Sequence, residues 1–176
     1  STLDKLRELL RRVEETVREV LERNDEHSKE VKRRVDKLLR ENDEHSKELA
    51  DLVRKIKDED TVKKLVEENK RRSEELLKTV EELVRRNDEL SKKLEEDVRR
   101  LVRELEERAK RALDRRPTRE MEKVLTDARR SLRRLEERVR ESLERSHRIN
   151  RKLRKDVRES LERSKRILDK LREEVR

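Results

Sequence analysis

The apolar residues of this chain return to the same register every eighteen positions, and that repeat limits its possible folds more than any other feature. Val13, Val31 and Leu49 correspond, as do Val17, Val35 and Val53, and Arg140–Ser146 recurs unchanged as Arg158–Ser164. Between repeats the apolar residues are spaced by three and four, which is one face of an α-helix. Eighteen residues make about five turns at ~3.6 residues per turn, so the face stays on one side of an unstrained helix. A seven-residue repeat would instead impose a left-handed supercoil. The expectation is therefore of long, nearly straight helices.

Charged residues make up 57% of the 176 positions and apolar ones 28%, with no aromatic residue, no Gly, no Cys and one Pro. Such charge with so little hydrophobicity would ordinarily leave a chain disordered. Strict periodicity argues otherwise, because Glu/Lys/Arg/Leu-rich sequences with a helical period are those of long helices and coiled coils. Without Cys there are no disulfides, thiol nucleophiles or thiolate metal sites. No apolar run exceeds two residues, whereas a membrane span needs ~18. Ser1 to Leu21 has no apolar core of a secretory signal, so a soluble protein is expected.

Three segments carry the apolar face. The first runs from a potential cap at Ser1-Thr2-Leu3-Asp4 to about Lys57, and Asp58-Glu59-Asp60-Thr61 then breaks the pattern. Asp60 or Asp58 can cap the second segment, which must end before Pro117 because proline disfavours helical geometry in the residue before it. Thr118 is the expected N-cap of the third. The fold expected is all-α, an up-down-up three-helix bundle in one domain of residues 1–176, with helices at about 2–57, 60–115 and 118–176. Helices of ~55 residues would be about 80 Å long at ~1.5 Å per residue. Short connections make neighbours antiparallel.

The seam is interrupted by uncharged polar residues. Asn24, His27 and Ser28 recur as Asn42, His45 and Ser46; the second segment carries Asn69, Ser73, Asn87 and Ser91, and the third Ser142, Ser146, Ser160 and Ser164. In an antiparallel hairpin about residues 58–60, Asn24, His27 and Ser28 face Asn87 and Ser91, while Asn42, His45 and Ser46 face Asn69 and Ser73. The third helix, parallel to the first with an offset near 118, brings Ser142 and Ser146 to the former layer and Ser160 and Ser164 to the latter. Coincidence of three helices in the same two layers points to two buried hydrogen-bond networks, because an unpartnered buried polar group costs roughly 1–3 kcal/mol. On this pattern Asp25, Glu26, Asp43 and Glu44 face solvent. One of each His/Ser pair, with His147 and Asn150, falls at the edge of its face.

No catalytic arrangement is apparent. His27 and His45 lie ~27 Å apart along one helix and cannot share a metal, and the Glu residues fall at outward positions rather than converging on a bundle core. A Ser/His/Asp triad needs an oxyanion hole beside its nucleophile, and no glycine-rich phosphate loop exists. No enzymatic activity and no cofactor are expected. From Thr118 to Arg176 there are 21 basic and 13 acidic residues, a net +8 of the chain's +9. The interleaved acids and the lack of aromatics for stacking limit nucleic-acid binding to non-specific attraction by this third helix. If His27 and His45 are buried and neutral, burial depresses their pKa and stability falls as they protonate.

The repeat, the Asn/His/Ser layers, the Lys57–Thr61 loop and the Glu/Lys/Arg surface together resemble de novo designed helical bundles with modular hydrogen-bond networks. The resemblance covers the whole chain. It implies a synthetic protein without natural biochemical activity, cytoplasmic in a host that expresses it, whose networks set partner, register and oligomeric state. Some members of that class pair three helices in one chain with a separate fourth. Doublets such as Leu9/Leu10, Leu38/Leu39, Leu83/Val84 and Leu101/Val102 widen the apolar face beyond a narrow seam. They suggest a groove for a partner helix or another copy of the chain, the alternative being a self-contained monomeric scaffold. No membrane or small-molecule partner is expected.

Overall fold

The computed structural model of the chain describes residues 2–114 and 118–175, without the side chains of Thr2, Leu113, Glu174 and Val175. It contains three long helices and, among the described residues, no strand: α1 is Thr2–Lys55, α2 is Glu59–Leu113 and α3 is Arg119–Val175. This is the all-α three-helix bundle the periodicity predicts.

Local chemistry explains the helix starts. Of the two candidate caps for α2 it is Asp58 that serves: its Oδ1 accepts the Asp60 N–H at 3.3 Å and its Oδ2 the Thr61 hydroxyl at 2.7 Å. The Thr61 hydrogen bond is the main reason the Asp58 carboxyl titrates below its ordinary range. Before α3, Thr118 Oγ1 accepts the Met121 N–H at 3.2 Å, satisfying one of the free donors of the first turn. The expected helix stop at Pro117 and the hydroxyl caps of Ser1 and Thr2 lie outside the described residues and side chains. Exposed i, i+4 pairs such as Glu8–Arg12, Glu82–Arg86 and Glu95–Arg99 line the outer faces; each adds a few tenths of a kcal/mol, about 0.2–0.5.

The chain divides into two compact units, one of Ser1–Ser28 with Asp88–His147 and the other of Lys29–Asn87 with Arg148–Arg176. All three helices contribute to each. In the first unit Val13 and Val17 of α1 pack with Val98, Val102 and Leu105 of α2 and Leu132, Leu135 and Val139 of α3. The second unit holds two apolar clusters. One joins Val31, Val35 and Leu39 to Val80, Val84, Leu153 and Val157; the other joins Leu49 and Val53 to Val62, Leu168 and Leu171. Pairings such as Val53 with Val62 make α1 and α2 antiparallel within this unit. Within each unit the α1–α3 bonds described below keep an offset of 118 residues, which makes α1 and α3 parallel there.

Candidate functional site: two buried polar layers and an open cleft

In the first unit Asn24 is the hub. It is 2% exposed, and both hydrogens of its Nδ2 are used, donated to Ser142 Oγ at 2.9 Å and Ser146 Oγ at 3.0 Å. Its Oδ1 accepts the Ser91 hydroxyl at 2.8 Å. Ser28 Oγ and Ser146 Oγ share a further bond of 2.9 Å. With both N–H groups and the carbonyl engaged, Asn24 ties α1 to α2 and α3 at once.

The layer extends outward through a carboxylate. Ser142 Oγ donates to Asp25 Oδ1 at 3.0 Å, and the Arg145 guanidinium meets Asp25 Oδ2 at 3.2 Å. Asp25 was expected to face water, and the structure corrects that reading. One residue past Asn24 it is turned about 100° around α1, but Ser142 lies within reach, and a hydroxyl that already accepts from Asn24 has its own hydrogen to give. In the second unit Asp43 stands the same way, accepting from Ser160 at 3.0 Å with Arg163 at 3.4 Å. Glu26 and Glu44 are exposed.

The second-unit layer repeats the α1–α3 half of the pattern. Asn42 Nδ2 donates to Ser160 Oγ at 3.1 Å and Ser164 Oγ at 3.2 Å, and Ser46 and Ser164 share a bond of 2.6 Å. The α2 half differs. Ser73, eighteen positions before Ser91, is half-buried, and Asn42 Oδ1 has no hydrogen-bond partner among the described residues. Asn69 is 3% exposed with its Oδ1 likewise unpartnered.

Asn87, which register places beside Ser91, donates through its Nδ2 to Asn150 Oδ1 at 2.9 Å, both residues being buried. Asn150, expected at the edge of its face, is therefore interior. Ser142, Ser146 and Asn150 form one i, i+4, i+8 row on α3, and that row is the sequence signal that would have found it. The corresponding row eighteen residues on ends in Leu168, so Asn69 has no counterpart of Asn150.

The histidines sit at the margin. His27 and His45 are half-buried rather than enclosed. Desolvation by partial burial, reinforced by the Arg72 guanidinium and opposed by Glu48, lowers the pKa of His45 from its usual value. His147 is exposed, its Nδ1 3.7 Å from Asp88 Oδ1. Among the described residues no group of three or more His, Asp or Glu is placed to hold a metal ion, and no helix is long and apolar enough to cross a membrane.

In each unit a cleft opens between α2 and α3. In the first unit it is floored by Val98, Val102, Leu105, Leu132 and Val139, with adjoining volumes of about 410 and 390 Å³. In the second it measures about 370 Å³ and is walled by Val66, Leu77, Leu161 and Leu168, with Asn69 and Ser73 among its lining residues.

Fold and layers together define a three-helix bundle with buried, hydrogen-bonded asparagine–serine layers. No protein-family model matches the chain, and no curated protein matches it. Among solved structures it is similar to one described as a "Computationally designed three helix bundle", at 17% identity and a TM-score of 0.40, covering 99% of this chain and 85% of that one.

Proposed function

We propose that the chain is an interaction module, in which the asparagine–serine layers fix the pairing of its own helices and the α2/α3 cleft receives a helix of a separate protein. The carrying observation is the cleft of the first unit, where the half-buried Ala109 and Leu143 line open space above the closed core of Val102, Leu105 and Leu132. An apolar surface left open in this way favours coverage by another apolar surface, at about 25 cal/mol for each Å² removed from water. The rim of that cleft carries six basic and three acidic side chains. An amphipathic helix with acidic flanks is the complementary occupant, and the chain's net charge of +9 sets a second copy against itself. The layers and the cleft together support the designed hydrogen-bond-network class as the source of the chain, with no reaction to perform.

Light scattering on the full chain is expected to give a 21.7 kDa monomer. Titration with a synthetic amphipathic peptide of about four heptads, with a Leu/Val seam and Glu flanks, is expected to give saturable binding and slow amide exchange in residues 98–109 and 125–143. The same peptide with Lys flanks should bind more weakly. If neither peptide binds and exchange is unaltered, the protein is a self-contained scaffold. A stable dimer that protects these segments would make another copy the occupant.

A further inference from the structure

In the second unit the structure assigns Asn69 as the position that reads a docked helix, by hydrogen-bonding an uncharged hydroxyl or carboxamide side chain on it. This inference rests on the reading of the α2/α3 cleft as a docking site. Asn69 lies in the cleft lining between apolar walls, yet its Oδ1 is buried without a partner. The asparagine eighteen residues later shows what it lacks: Asn87 has Asn150 opposite, whereas the residue eighteen positions beyond Asn150 is Leu168, itself part of the cleft wall. The chain thus satisfies one α2 carboxamide internally and leaves the other beside open space.

The occupant follows from the surroundings. Val66, Leu77, Leu161 and Leu168 call for Leu or Val on either side of the reading residue. The cleft rim carries three basic and three acidic side chains, Lys70, Lys165, Arg172, Glu67, Glu74 and Asp169, so charge discriminates little here and selection falls on Asn69. A partner carboxamide or hydroxyl opposite it gives the orphaned group its bond. A leucine there would leave that buried group still without a bond, and a site holding an unmatched polar group rejects the apolar analogue strongly.

The test uses the full chain and a synthetic amphipathic peptide of about four heptads with a Leu/Val seam and one Asn at the central seam position. A second peptide carries Leu at that position. The Asn peptide is expected to bind about tenfold or more tightly than the Leu peptide, and to shift the Asn69 side-chain amide resonance, identified by its loss in Asn69→Leu. Against the Asn69→Leu chain the preference should vanish or reverse. The preference is measured on the unmodified chain, so it does not depend on how that variant folds. Equal binding of both peptides overturns the assignment of Asn69 and leaves the cleft as a docking site. Failure of both to bind overturns the docking reading of this cleft and the assignment with it.

Discussion

Asn24 and Asn42 occupy identical sequence surroundings, Asn-Asp-Glu-His-Ser, yet truncating them should have different consequences. Asn24→Ala removes three buried hydrogen bonds, two donated to Ser142 and Ser146 and one accepted from Ser91. At about 1 kcal/mol net for each neutral bond this is ~3 kcal/mol. The Ser91 donor left behind adds little if its hydroxyl turns to the carbonyl one turn back on α2. Asn42→Ala removes two bonds, ~2 kcal/mol, but also deletes a buried carbonyl with no partner, whose cost of roughly 1–3 kcal/mol is relieved. Its net effect should lie between a cost and a gain of ~1 kcal/mol. The gain in helix propensity is the same for both and cancels. The predicted gap of ~2–4 kcal/mol is measured by guanidinium denaturation of the two variants beside the parent. With a slope of roughly 4 kcal/mol/M it separates the midpoints by roughly 0.5–1 M, Asn24→Ala unfolding first. Equal midpoints, or an earlier transition for Asn42→Ala, would refute the claim that the two layers differ in hydrogen-bond completeness.

Three further outcomes follow from the same geometry. Because the folded pKa of His45 lies below its unfolded value, the unfolded chain takes up its proton first, so this residue's contribution is constant above ~6.5 and falls as pH drops through that value. Denaturation at pH 7.5 and 5 should show a loss in the parent that is smaller in His45→Gln; parallel behaviour would sink the assignment. Asp25→Ala should cost about 1 kcal/mol through the lost Ser142 bond, and the double substitution with Ser142→Ala should be less than additive; strict additivity would show that the Asp25–Ser142 bond has no energetic weight. Thr118→Ala removes the α3 cap at a cost of about 1 kcal/mol and should raise amide exchange at Met121, whereas unchanged exchange there would show the cap to be idle.

Much of the architecture was legible because one periodicity governs both structure and register. A chain whose seam repeats in five whole turns must keep Asn24, Asn42, Ser142 and Ser160 on inward faces, and a fixed offset then pairs them. Seam position does not decide contact where it depends on which of two neighbours a short side chain reaches. Asp25 and Asp43 lie off the seam by a single residue, and seam counting classifies them as exposed; only the position of Ser142 and Ser160, with hydrogens to spare, brings them into the layers. Ser73 and Ser91 are indistinguishable by spacing, yet only Ser91 reaches an asparagine carbonyl. The half-burial of His27 and His45 also follows from the width of the packed face, which the seam positions alone do not define.

A periodic seam is a ruler with near-identical graduations, and the Asn87–Asn150 pair is one mark on it that is not repeated. Were the α3 of one copy to dock on the α1 of another displaced by eighteen residues, Asn24 would meet Ser160 in place of Ser142 and find the same hydroxyl. That displacement would instead set Leu168 against Asn87, exchanging a buried amide pair for an asparagine facing a leucine. The same displacement sets Ser142 and Ser146 against Leu6 and Leu10, so Asn150 adds to a penalty the serines already impose, and its replacement by Leu should increase slipped, domain-swapped assembly at high protein concentration without altering either serine layer.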